Sequence, residues 1–271
     1  MAPPTPVTVL LIPGLSSKAT VYDPLLSLLQ ATPTIARAQA LSLPSTSAPD
    51  PSAAAPPTAL ERDAQAIRAA AQHAAAQGHA VVLVAHSYGG TPALHATAGL
   101  WRGGARGPGV ARVLLLSGSL GLAGEAVGGV RAAWAAAHPE AGIDDERGAR
   151  VEIRDGVPCV VPLPEMWPRW FSDLPVEEQR RWGATLVPSA LGAVASPVPE
   201  SMAADPREWK IGYLICEEED LAMPTAFQEY LVQRARDAGA EVETTRIKSG
   251  HFVQLSHTQE VADWVVENPK V

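Results

Sequence analysis

The chain has only two cysteines in 271 residues, Cys159 and Cys216, far apart and outside any CxxC pair. They offer neither a disulfide framework nor a zinc-ligand spacing, and leave open only a single bridge between the two. No apolar run approaches the ~18 residues that a membrane-spanning helix requires. The first such run, Val7 to Ile12, has no basic segment before it and is stopped by Pro13-Gly14. It therefore reads as a buried strand and not as a secretory leader. Basic clusters are missing too, and the formal net charge is −8. Phosphate backbones are poor ligands for such a surface, so nucleic acid is not an expected partner. By default, these absences lead to an expectation of a cytoplasmic protein with reduced thiols and no membrane contact. The oligomeric state stays open, a homodimer among the options.

What is present is a well-buried composition, 46% hydrophobic and 18% charged. That suits one large domain, or one domain carrying an insertion. Short β-branched runs alternate with helical patterns, as in βαβ units around a parallel sheet. Strands are expected at Val7–Ile12, Ile35–Leu41, Ala80–Ala85, Val110–Leu116, Lys210–Cys216 and Val242–Ile247. Helices are expected at Val21–Gln30, from Thr58 to about Gln77, and at Tyr88–Leu100, Thr225–Ala238 and His257–Glu267. Thr58 with Glu61 three residues on forms a capping-box pattern, and Gly78 is the helix stop. Pro44–Pro57, rich in Pro, Ser and Ala, reads as an irregular surface loop.

Between about Leu120 and Arg207 the character changes. Prolines are frequent, Trp134, Trp167, Trp170 and Trp182 gather, and no strong strand pattern is present. The expected fold is therefore α/β: a mostly parallel sheet with helices on both faces and an inserted, mainly helical lid. Its parts are a core over residues 1–119, the lid over 120–207 and the rest of the core over 208–271.

The strongest chemical signal is the run from Val81 to Gly90, VVLVAHSYGG. A buried strand runs into Ser87, small residues stand two before and two after it (Ala85 and Gly89), and a helix follows. A serine on so tight a strand-to-helix turn projects its hydroxyl beyond backbone crowding, and the helix start favours developing negative charge. A tight βα turn with an incidental serine would look similar in isolation. The strand before and the helix after supply the context that the motif requires.

A nucleophilic serine needs a base. His73, His79, His95 and His138 fall in helices or loops at the periphery or in the lid, and His257 opens the last helix. His86 is expected to point away from Ser87. His251 follows the last strand, at the sheet edge where open α/β sheets bind ligands. An orienting acid should lie between serine and histidine in chain order. The acidic turn Glu217-Glu-Glu-Asp220 offers several choices. Asp220 ends the run and is preferred, with Glu218 in reserve. Pro13-Gly14-Leu15-Ser16 follows the first strand at the same edge. The amides of Leu15 and Tyr88 would then converge on a substrate oxyanion, with the Ser16 hydroxyl as a possible aid, although a Pro-Gly after a strand is also an ordinary turn.

Taken together, the LIPG run ending at Gly14, AHSYGG over 85–90, the EEEDLAMP turn and Gly250-His251 resemble the small α/β hydrolases related to plant methylesterases and hydroxynitrile lyases, especially their fungal and bacterial relatives. The likeness spans nearly the whole chain, including Trp170-Phe-Ser-Asp-Leu-Pro of the lid and the Trp209-to-Asp220 stretch. It implies an α/β-hydrolase fold, a Ser87–Asp220–His251 triad and Leu15 and Tyr88 as oxyanion donors. Two departures matter. Pro13 stands where the family often has histidine, and Phe252 stands where the lyases carry a lysine. The second turns the expectation from cyanohydrin cleavage toward ester or lactone hydrolysis.

The expected substrate is a small apolar ester or lactone, with Ser16, Trp167, Trp170, Trp182 and Phe252 around it. No metal or organic cofactor is required. Thioester hydrolysis, cyclisation and non-catalytic binding of a small ligand are the alternatives on this fold. A haloalkane- or epoxide-type reaction would need an acidic nucleophile where Ser87 stands.

Overall fold

The computed structural model describes residues 5–47, 58–101, 107–141, 149–218 and 220–268. Among the described residues nine strands follow in chain order: β1 (Val7–Ile12), β2 (Ile35–Ala40), β3 (Ala80–His86), β4 (Gly109–Leu116), β5 (Ala149–Arg154), β6 (Val157–Pro162), β7 (Ser189–Ala190), β8 (Lys210–Glu218) and β9 (Glu241–Ser249). Six of them form one sheet in the order β2-β1-β3-β4-β8-β9, every pairing parallel. The apolar runs are continuous because both faces of this sheet are covered. On β3, Val81, Leu83 and Ala85 enter one apolar cluster while Val82 and Val84 enter the other.

The first cluster is closed by the helices Ala59–Ala76, Gly90–Ala96 and Thr225–Asp237, which contribute Leu60, Ile67, Leu94, Phe227 and Leu231. The second is closed by Asp23–Gln30 and Thr258–Glu267 through Leu25, Leu29, Val261 and Val265. Each such aliphatic side chain contributes roughly 1.5–3 kcal/mol by leaving water. The capping box forms as read: Thr58 Oγ1 accepts the Glu61 amide at 3.3 Å and Glu61 Oε2 accepts the Thr58 amide at 2.6 Å. Gly78 ends that helix in the left-handed region, φ +86°. Pro44–Ser47 is a helical turn and not irregular loop; the rest of that expected loop, 48–57, lies outside the described residues.

The segment between β4 and β8 carries more strand than its composition announced. Alongside the helices Val127–Ala137 and Val176–Gly183, β5, β6 and β7 form an antiparallel sheet in the order β5-β6-β7. Its hairpin turn is Asp155-Gly156, with φ of +48° and +82°. Positive φ at both central residues matches strand twist in a two-residue turn, and Asp-Gly flanked by alternating residues was the signal available. Cys159 on β6 and Cys216 on β8 are both buried and free.

Candidate active site

Three serines mark the C-terminal edge of the sheet: Ser16 beyond β1, Ser87 after β3 and Ser117 after β4. They have φ of +61°, +50° and +43°. A side chain in this region costs of order 1–3 kcal/mol, so the surroundings must enforce it. At Ser87 the enforcement is close packing. A Cβ on Gly89 would stand 2.5 Å from the Pro13 carbonyl oxygen, and one on Gly90 would stand 2.4 Å from that of Ser119. Only glycine lets β1, the loop after β4 and the start of helix Gly90–Ala96 crowd the turn. The Ser119 amide donates to the Ser87 carbonyl at 2.8 Å and fixes it from the far side.

The Ser87 hydroxyl lies 2.9 Å from His251 Nε2, and His251 Nδ1 lies 3.0 Å from Asp220 Oδ2. A carboxylate only accepts, so Nδ1 carries the proton and Nε2 presents its lone pair to the serine. Asp220 is 3% exposed, yet its oxygens are well served. Oδ1 accepts the amides of Ala222 at 3.0 Å and Met223 at 2.6 Å; Oδ2 also accepts the Ser117 hydroxyl at 2.6 Å and Gln228 Nε2 at 3.3 Å. These donors allow an anion to stay buried. Glu218 closes β8, and its side chain lies outside the described part of the chain.

His86 has a role that its direction along the strand did not announce. Alternation does place it with Val82 and Val84, but the His251–Phe252 turn folds over that same face. Its ring centroid lies 4.6 Å from that of His251 and 4.7 Å from that of Phe252. Nε2–H donates to the His251 carbonyl at 2.8 Å, since a carbonyl can only accept. Burial holds the imidazole well below the ordinary histidine range, with the nearby His251 adding to the effect. His86 is therefore a neutral brace for the turn that carries His251.

A cavity of about 290 Å³ opens beside Ser87. Leu15, Tyr88, His251 and Phe252 line it from the core, and Trp170, Met166, Val127 and Val160 from the inserted segment. Three expected lining residues are elsewhere. The Trp167 ring lies over Gly183, where a Cβ would come within 2.2 Å of it. Trp182 packs against the second core cluster, with the Arg181 guanidinium 5.2 Å from its ring centroid. Both rings fill the body of the insert, where aromatic area is needed to bury a thin layer. Ser16 is fully buried, and its backbone ties the loop after β1 to the insert: its amide donates to Ser189 Oγ at 2.8 Å and its carbonyl accepts the Val187 amide at 2.9 Å. Tyr88 is the second residue of a 3-10 turn, a position whose amide has no intrahelical acceptor. Among the described residues, no group of three or more His, Cys, Asp or Glu side chains could hold a metal ion, and no helix is long and apolar enough to cross a membrane.

This arrangement of a parallel sheet, a strained serine after a central strand and a histidine after the last strand defines a class. The model of the alpha/beta hydrolase family matches residues 9–264, and the chain belongs to that family. Solved structures of similar fold include polyneuridine aldehyde esterase, 18% identical with a TM-score of 0.70 over 97% of this chain and 99% of that one. Tomato methylketone synthase I, solved with 2-tridecanone, is 16% identical with a TM-score of 0.69 over 97% of each chain. The Arabidopsis methylesterase MES16 is 16% identical with a TM-score of 0.66 over 96% of this chain and 98% of that one. No curated protein matches the chain in sequence.

Proposed function

We propose that this protein is a serine hydrolase that cleaves a carboxylic ester or lactone of a small apolar substrate through an acyl-enzyme on Ser87. The observation that carries this reading is the continuous hydrogen-bonded line from Ser87 through His251 to Asp220, at the wall of an apolar cavity. His251 Nε2 takes the hydroxyl proton as Ser87 Oγ bonds to the carbonyl carbon. The oxyanion is received by the Leu15 and Tyr88 amides, each donor worth roughly 3–4 kcal/mol in the transition state. The imidazolium then returns its proton to the leaving alkoxide. Water repeats both steps on the acyl-enzyme, and the acid and Ser87 are released.

The lining supports an apolar acyl or alcohol part, and Phe252 favours hydrolysis over cyanohydrin cleavage. That ring packs against Phe171 with centroids 4.4 Å apart, and it supplies no ammonium beside the histidine. The test is intact mass after treatment with a fluorophosphonate. The wild type should gain one phosphonyl group and Ser87→Ala none. An unlabelled wild type, or label retained in the variant, would overturn the assignment. A wild type that binds apolar esters tightly without turning them over would establish the non-catalytic reading instead.

A further inference from the structure

The four residues from Asp220 to Met223 form a tight turn in which the chain bends back on its own carboxylate. Oδ1 of Asp220 receives the Ala222 amide at 3.0 Å and the Met223 amide at 2.6 Å. Each of those N–H groups belongs to a planar peptide unit whose carbonyl points the opposite way. The unit that ends in the Ala222 N–H begins with the Leu221 carbonyl, and that oxygen accepts Nη2 of Arg169 at 3.0 Å. The unit that ends in the Met223 N–H begins with the Ala222 carbonyl, and that oxygen accepts Nη1 of Arg131 at 2.5 Å. Two consecutive peptide groups are thus each held between a guanidinium and the same carboxylate.

The two arginines come from separate elements of the inserted segment. Arg131 is on helix Val127–Ala137, and Arg169 is on the short helix Trp167–Trp170. Both therefore reach the Asp220 turn from the segment inserted between β4 and β8. A cation on the oxygen of an amide draws charge toward it and strengthens the donation from the opposite N–H. Guanidinium-to-carbonyl bonds are also directional, so they fix the plane of each peptide unit.

We propose that Arg131 and Arg169 are positioning residues for the Asp220–His251 pair, acting through the Ala222 and Met223 amides, so that the seating of the insert and the alignment of the triad are one structural event. This rests on the serine-hydrolase reading of Ser87. Neither arginine touches the reacting atoms. Arg131 lines the cavity, whereas Arg169 is not among its lining residues, which makes Arg169 the cleaner probe.

The experiment is the inactivation of the intact protein by a fluorophosphonate, resolved into the binding constant of the reagent and the first-order rate constant of acylation. Variants are Arg169→Met, Arg131→Met, the double Met variant and the matching Lys substitutions, each checked by thermal unfolding. Arg169→Met should lower the first-order constant roughly 10-fold and the double variant roughly 100-fold, the scale expected when a catalytic group shifts by a fraction of an ångström to 1 Å. For Arg169→Met the binding constant should stay within about two-fold, because contacts with the reagent are unchanged. Arg169→Lys, which keeps a cation and a donor, should restore most of the rate. A folded Arg169→Met protein with the wild-type rate constant, or a loss that the Lys variant does not repair, would overturn the positioning role. A wild type that takes no label on Ser87 would remove the hydrolase reading and this one with it.

Discussion

Asp63 Oδ2 accepts the Tyr88 hydroxyl at 2.8 Å, which places a buried carboxyl group directly behind the residue that follows Ser87. Its other oxygen accepts the Ser45 amide at 2.9 Å, so helix Ala59–Ala76, the turn at Pro44–Ser47 and the serine elbow meet in one contact. Burial raises the Asp63 carboxyl to about 6, with the Ser45 and Tyr88 hydrogen bonds pulling the other way.

The sign of the resulting pH dependence follows directly. The folded state binds the Asp63 proton more tightly than the unfolded state does, so this group's contribution to stability is full below about 4 and is lost as pH rises through about 6. The shift corresponds to about 3 kcal/mol. Buried His86 acts oppositely, since its lowered value removes stability as pH falls below the ordinary histidine range. Comparing wild type with Asp63→Asn cancels the His86 term. The stability of wild type minus that of the variant should fall by about 2 kcal/mol between pH 4 and 6.5, measured by urea unfolding. A difference that stays flat would mean that Asp63 titrates in the ordinary range.

Asp220→Asn should reduce turnover of a p-nitrophenyl ester by about 10⁴-fold while the fold persists, because the imidazole then loses its oriented tautomer. Ser117→Ala removes one of the donors to Asp220 Oδ2 and should cost roughly 10-fold. Similar small losses from both substitutions would argue against Asp220 as the orienting acid.

The acid limb of kcat/KM against pH should carry no ionisation from His86, so its slope should not exceed one. His86 is held neutral by burial and contributes no second ionisation. A slope of two along that limb would show that His86 titrates there.

Gly90→Ala should be severely destabilising, because its Cβ would stand 2.4 Å from the Ser119 carbonyl oxygen and 3.0 Å from the Ser119 amide. Backbone atoms on a loop that also holds the Ser87 carbonyl cannot yield cheaply, and a loss of several kcal/mol is expected. Gly124→Ala is the comparison for a position with no neighbour within 4 Å, where only the positive φ of +78° is penalised. Its cost should be about 1–2 kcal/mol by thermal unfolding.

Much of this was legible along the chain because the determining physics is local. A strand buried on both faces has to be continuously apolar, as β3 is, and a capping box has to place Thr58 and Glu61 three apart. The serine at a strand-to-helix turn, the histidine after the last strand and the acid between them follow from chain order. The β5–β6 hairpin was equally local, announced by Asp155-Gly156, but the surrounding prolines and tryptophans masked it. The other features arise from contacts across long sequence separations. Which aromatic ring faces the cavity depends on how the insert folds back, and it turns Trp170 inward while Trp167 covers Gly183. The acidic run at 217–220 contains four candidates, and the convergence of Ser117, Gln228 and two backbone amides on Asp220 could not be read from the run itself. At Ser87 the sequence by itself supplied the residue and its turn. The tertiary structure decided the setting: glycine contacts that hold φ at +50°, and an insert whose arginines reach the loop of its acid. The reason is physical: backbone conformation is set by neighbours in the chain, whereas hydrogen-bond partners and burial are set by neighbours in space.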